Sequence, residues 1–319
     1  MLLWVIAAAA AAEATYGAMM TLSGIEWSLL EPKVYGRGLA TGTFVNRNHL
    51  AGYLCLGLAS GIGLMLSEPS PLGSSDWHSR LRRWLTLLLG PKLLLRALLA
   101  AMVIGLVLTR SRMGNAAFTV ALAVAATAWL LLRKGGNRKT AMIFFISLIA
   151  VDVLIVSRYF GLEALVQRVQ QTELQQEGRV LVFTDLLPVA DTHKIVGAGL
   201  GAFPEAFAAQ QTVQVRNRYE HAHNDYAEFL IELGTIGVLL LALFVAWHLL
   251  RCWQLIRDPD SRRRAGLAFS VFFALIALAV HGLTDFNLRI PAIPLTLMVL
   301  LGSLAGTSKS QLRSNAALA

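Results

Sequence analysis

Charge is scarce in this sequence. Only 15% of its 319 residues are Asp, Glu, Lys or Arg, whereas a soluble domain carries about 25%. Twenty-eight basic and 19 acidic side chains are too few to cover a water-soluble body of this size. Cysteine is scarcer still: Cys55 and Cys252 lie far apart, in or beside apolar runs. That excludes a disulfide framework and a thiolate metal site, and leaves two structural thiols. Internal repeats, low-complexity tracts and a separate soluble domain are also missing. So are the Gly-Lys-Ser/Thr ending of a phosphate-binding loop, the βαβ setting of a dinucleotide fingerprint, and a His-Glu-x-x-His pair.

What is plentiful is apolar: 56% of residues, with a mean hydropathy of +0.59. This excludes disorder and a coiled coil. The net charge of +9 does not point to a nucleic-acid partner, because the basic residues fall in short clusters between long apolar runs. The partner implied is the lipid bilayer.

A spanning helix needs about 20 mostly apolar residues. Runs of that kind cover 2–22, 49–67, 88–108, 115–132, 140–158, 227–250, 266–285 and 289–306. The expected fold is therefore all-α: one polytopic transmembrane bundle over 1–319 with about eight spans and one long, partly helical outer loop at 159–222. The alanine run of the first segment also suits a signal peptide, but no basic residue precedes it. Segments 68–96, 133–139 and 251–264 and the tail together hold 16 of the 28 basic residues. This side reads as cytoplasmic, with both termini on it. The other side holds ten arginines and two lysines, and Arg110 and Arg112 in its short turn run against the positive-inside trend.

Three features could carry chemistry. Gly197-Ala198-Gly199-Leu200-Gly201-Ala202-Phe203 reads as a turn at positive φ before a short helix from Pro204. His221, Asp225, Glu228 and Glu232 fall on one stripe of a helix, and charges inside a span are costly and face a cavity or partner. Asn224 or Asp225 caps that helix, which leaves His223 on the loop side. The histidines suit a metal site, a structural hydrogen bond or a catalytic base, since an unperturbed imidazole titrates near pH 6.5. The outer arginines, among them Arg47, Arg112, Arg179, Arg216 and Arg218, suit headgroup anchoring or the recognition of phosphate oxygens.

Taken in order, several motifs resemble the O-antigen ligase and polymerase superfamily. They are Gly42-Thr43-Phe44-Val45-Asn46-Arg47-Asn48-His49 with Ala51-Gly52-Tyr53, then Ser111-Arg112-x-Gly114, then the glycine-rich turn. The last is His223-Asn224 with Gly234 ten intervening residues after His223. The resemblance implies a bacterial inner-membrane enzyme with a GT-C-type fold and no cofactor or metal. Such an enzyme moves a glycan from an undecaprenyl-diphosphate carrier to a hydroxyl of a polysaccharide, lipid A core or protein on the periplasmic face. It implies His223 as the base and Arg112 and Arg179 on the diphosphate. Arg47, Asn46, His49, Arg216, Arg218, Asn224 and Asp225 become the expected substrate contacts. Members commonly have ten to twelve spans, so the expectation is a compact form or one lacking the first helices. The rival reading is a glycolipid transporter, with Glu13, Asp152, Glu228 and Glu232 carrying protons.

Overall fold

The computed structural model describes residues 1–29, 31–68, 91–133, 138–159, 185–211 and 219–316. Every apolar run of the sequence is helical in its described part. The long helices are α1 (Leu2–Ser23), α2 (Arg47–Ser67), α3 (Pro91–Leu108), α4 (Arg112–Leu132) and α5 (Arg138–Tyr159). After the short α6 (Phe203–Ala208) come α7 (Asp225–Arg257), α8 (Arg262–His281) and α9 (Ala292–Ala316). A single 3-10 turn, Asn287–Arg289, links the last two. Among the described residues the only strands are Trp27–Ser28 and Glu31–Pro32, a two-residue antiparallel pair. The all-helical expectation stands.

Five helices (α1, α2, α4, α7 and α8) are long and apolar enough to cross a membrane. In the other three, the described apolar stretches are Leu93–Leu108, Ala141–Ala150 and Ala292–Thr307.

The most enclosed helices are α2 and α8, and small residues bring them together. A methyl group on Gly63 would collide with Ser270 and the Gly266 carbonyl, and one on Gly266 would collide with Ser67 and the Gly63 carbonyl. Likewise Gly57 of α2 accepts Ala10 of α1 and Met102 of α3 at contact distance. Close backbone approach through small residues is how helices gain dispersion contacts where lipid removes the hydrophobic drive between them. Aromatic pairs fill the space between α4, α5 and α8, with Phe118 on Phe273 and both Trp129 and Phe145 on Phe269. Cys55 and Cys252 are buried free thiols in this apolar core.

The chain alternates direction through these helices, so loop 24–46, turn 109–111, the segment before α7 and the turn 282–291 share one end. Contacts confirm the gathering. The Ala40 amide donates to the Leu108 carbonyl at 3.0 Å, Gly114 packs against Ala51, and Gly52 packs against Asn287. Glu13 of α1 fastens this end from within: its carboxylate accepts from the Thr43 amide and hydroxyl, both at 2.8 Å.

Candidate active site

Four long helices begin at this end, and three of them, α2, α4 and α7, are capped by a polar motif residue. The Asn46 side chain accepts from the Asn48 amide at 2.9 Å, Ser111 from Gly114 at 3.1 Å and Asn224 from Ala227 at 3.0 Å. The cap expected at Asn224 is therefore in place. Asn46, expected as a substrate contact, spends its side-chain oxygen on the start of α2. Each cap satisfies one of the amides that a helix start leaves open. Immediately after two of these caps stands an arginine, Arg47 on α2 and Arg112 on α4, and Arg112 is exposed. A cation there opposes the positive end of the helix dipole and costs typically about 0.3–1 kcal/mol.

The glycine-rich turn is spliced into α7. At Gly234 the helix breaks, with φ 63° and ψ −176°. At the break the turn pairs with two carbonyls before it and two amides after it. The Ala198 amide donates to the Ile231 carbonyl at 2.8 Å, and the Gly199 amide to the Glu232 carbonyl at 2.9 Å. In return Thr235 donates to the Lys194 carbonyl at 2.8 Å, and Ile236 to the Ile195 carbonyl at 3.2 Å. Buried backbone groups must be paired, so the splice fixes the register of both segments. Gly197 and Gly234 face each other here: a methyl on Gly197 would strike the Glu232 carbonyl, and one on Gly234 the Ile195 carbonyl. The positive φ values expected for the turn are present at Gly197, Gly199 and Gly201, and α6 follows, with Pro204 in its first turn.

The expected polar stripe is present on α7, and its charges face inward. Asp225, Glu228 and Glu232 are all buried. His221 precedes the helix yet still meets it, with Nδ1 2.9 Å from Glu228 Oε1. Glu228 Oε2 accepts from the Ala222 amide at 3.0 Å, and Glu232 Oε1 from the Phe203 amide at 3.3 Å. Between the two carboxylates lies Arg289, 3.0 Å from Glu228 through Nε and 2.5 Å from Glu232 through Nη2. Its guanidinium covers the Phe229 ring at 4.5 Å.

Beside this bridge, Phe286 sits among three histidines. His221 stacks on it with centroids 4.1 Å apart, while His49 and His223 meet it edge-on at 4.8 and 4.9 Å. His223 is exposed and held at φ 50°, a conformation uncommon outside glycine and maintained only by surrounding structure. His49 is buried, with Nε2 3.7 Å from Asp285. Burial alone would raise the Asp285 carboxyl. The His49 ring, the Phe286 amide and nearby His281 outweigh it and hold the group below the usual carboxylate range. Asp225 points away from solvent, its amide donating to the Gly282 and Asp285 carbonyls and its Oδ2 receiving the Leu288 amide.

Residues 97–242 match the O-antigen ligase family. The matched stretch takes in Arg112, the glycine-rich turn, His223 and Gly234, and with them the splice at the α7 break. No curated protein matches the chain. Two further elements of the site, Asn46 to His49 and the turn 282–289, lie outside the matched stretch.

Of the expected site residues, the structure brings His49, His223, Asn224 and Asp225 together around the start of α7, with Asn46, Arg47 and Arg112 at neighbouring helix starts. Arg179, Arg216 and Arg218 lie outside the described residues, as does the amphipathic stretch expected at 162–176. Sequence reasoning missed Phe286, Asp285 and Arg289. The available signal was the density of polar residues in His281-Gly282-Leu283-Thr284-Asp285-Phe286-Asn287-Leu288-Arg289, a short turn between two apolar runs. Among the described residues no three His, Cys, Asp or Glu side chains are placed to hold a metal ion together.

Proposed function

We propose that this chain transfers a glycan from an undecaprenyl-diphosphate carrier to an acceptor hydroxyl at the outer face of the bacterial inner membrane. The observation that carries this reading is the convergence of four helix N-termini on one end, two of them opened by Arg47 and Arg112. Helix starts favour anions, and arginines placed there against their own dipole cost suit a bound diphosphate. His223, exposed at the same end with its ring against Phe286 and its backbone at positive φ, is suited to act on the acceptor.

In the reaction, the acceptor oxygen attacks the anomeric carbon from the face opposite the carrier. The bond from that carbon to the diphosphate oxygen breaks, and the electron pair leaves with the diphosphate. His223 takes the hydroxyl proton, and the configuration at the sugar inverts. Charge grows on the leaving diphosphate, so Arg112, and Arg179 by resemblance, act as electrostatic stabilisers. One such preorganised donor is worth roughly 2.7–4 kcal/mol, and a positioned base adds about 10²–10⁴-fold. No metal ion enters these steps. The acceptor classes that fit are a growing polysaccharide, lipid A core or a protein hydroxyl.

The test is to incubate purified protein with carrier-linked glycan and acceptor and to follow release of the free carrier diphosphate. His223→Ala and Arg112→Ala are expected to abolish release, and a chelator to leave it unchanged. Full activity of both variants overturns the assignments. Passage of the glycolipid across vesicles with no bond formed favours a transporter instead. Three of that rival's four proton carriers are engaged otherwise, Glu13 with Thr43 and Glu228 and Glu232 with Arg289. The fourth, Asp152, has its side chain outside the described residues.

A further inference from the structure

Two loops far apart in sequence meet the same face of α7 through two carboxylates one turn apart. Glu228 holds the histidine loop, by His221 Nδ1 and the Ala222 amide. Glu232 holds the glycine-rich turn, by the Phe203 amide through its side chain and the Gly199 amide through its carbonyl. One cation, from a third segment, touches both carboxylates. Arg289 is mostly enclosed, with a side chain 13% exposed, and Glu228 and Glu232 are 2% and 1% exposed. Its contacts are ionic rather than in-line hydrogen bonds, so it acts by charge and position between the pair. A guanidinium is planar and forked, which lets one residue reach two anions where an ammonium would settle on one.

We infer that Arg289 is a positioning residue: by bridging Glu228 and Glu232 it holds the histidine loop and the glycine-rich turn in one fixed relation, and so sets His223 against the helix starts where the carrier diphosphate would lie. The kinetic half of this inference rests on the proposed transfer reaction, and the structural half does not. Phe286, three residues before Arg289, joins the two halves, because its ring touches both His221 and His223. Moving the 3-10 turn would therefore displace the histidines along with the salt bridge.

The experiment uses the full-length protein in phosphatidylethanolamine and phosphatidylglycerol nanodiscs, and reads amide hydrogen exchange by mass spectrometry alongside transfer kinetics. Arg289→Gln is expected to speed exchange about tenfold or more in both 197–203 and 221–224, with α2 and α8 unchanged. Glu232→Gln should loosen mainly the first segment and Glu228→Gln mainly the second. For transfer, Arg289→Gln should lower kcat about 10²-fold, as a displacement of an ångström does, with little change in KM for the carrier substrate. Because one uncompensated buried charge can unfold a protein, the triple variant Glu228→Gln, Glu232→Gln, Arg289→Met is the second arm. It leaves no buried charge unpaired, and the expectation is a folded protein with both loops unprotected and kcat still low. Protection of both loops with full kcat in the triple variant overturns the inference. So does an Arg289→Gln variant that loosens neither loop or only one, or that loosens α2 and α8 to the same degree. If exchange follows the expected pattern but the wild-type protein transfers nothing, the bridge stands and the reaction assigned to it falls.

Discussion

The two ends of the bundle use the same residue types in opposite ways. At the end where α7 starts, carboxylates, imidazoles and an arginine are drawn inside, and helix starts are opened by arginines whose charge opposes the dipole. At the other end the described basic residues serve the fold. Arg133 donates to the Asp258 and Pro259 carbonyls and lies over Trp129 at 5.8 Å, and Arg264 pairs with Asp258 at 2.9 Å. Ser261 caps α8 there, as Asn224 caps α7 at the first end. Polar groups arranged for stability have satisfied partners and favourable fields. Those at the first end include two arginines set against the dipoles of their own helices, and a cost of that kind is the physical signature of a site that meets something else.

Four measurements would break or sharpen this contrast. The largest effect is expected at Arg112. Arg112→Ala should lower transfer by about 10²–10³-fold, as loss of one preorganised donor does. Its thermal stability should stay level or rise by a few tenths of a kcal/mol, since the cation leaves the positive end of α4. A melt of the purified variant beside its rate checks both signs, and a variant that loses stability with its activity removes the contrast. Next, Arg133→Ala at the opposite end should cost about 1.5–3 kcal/mol of stability, the range for hydrogen bonds from a charged group, with the transfer rate per folded molecule unchanged. A fall in that rate would mean the basic end is part of the machinery.

The caps give a matched pair of smaller size. Asn224→Ala and Ser261→Ala should each cost about 0.5–2 kcal/mol, read as the shift in melting temperature. Only Asn224→Ala should also slow transfer, because it loosens the residue next to His223. The smallest effect concerns acid. The Asp285 carboxyl lies below its usual range in the folded chain. It therefore contributes stability above the unfolded value of about 3.9, and that contribution is lost as pH falls through the lower folded value. Stability measured from pH 5 down to 3 should fall more steeply in the wild type than in Asp285→Asn. Parallel profiles would show that His49 and His281 do not hold the charge.

Most of the fold was legible because burial in lipid imposes long apolar runs that local composition reveals. All eight runs are helices in their described parts, displaced by a few residues at their ends. The displacement has a cause: α4 starts at Arg112 and not 115, and α2 at Arg47 and not 49, because capping turns are polar and hydropathy cannot see them. The glycines at 197, 199 and 201 announced positive φ by their own chemistry. What could not be read was pairing across the chain. Glu228 and Glu232 looked like costly charges on a helix face because their partner, Arg289, is more than fifty residues away on a turn with no motif of its own. Asn46 looked like a ligand for substrate for the same reason that it makes a good cap: a short side chain with an oxygen able to turn back on the backbone.

The break at Gly234 also settles how much of α7 needs to be lipid. As one piece, 33 residues would extend about 50 Å at 1.5 Å each, well beyond a hydrocarbon layer of about 30 Å. From Thr235 to Arg257 the same rise gives about 34 Å, which matches that layer with a modest tilt. The outer faces of that stretch, Ile236, Leu239, Leu240, Leu243 and Trp247, are apolar and exposed. The glycine thus acts as a depth marker. It divides a segment matched in length to the acyl chains from the turn of helix that carries Glu228 and Glu232 against Arg289.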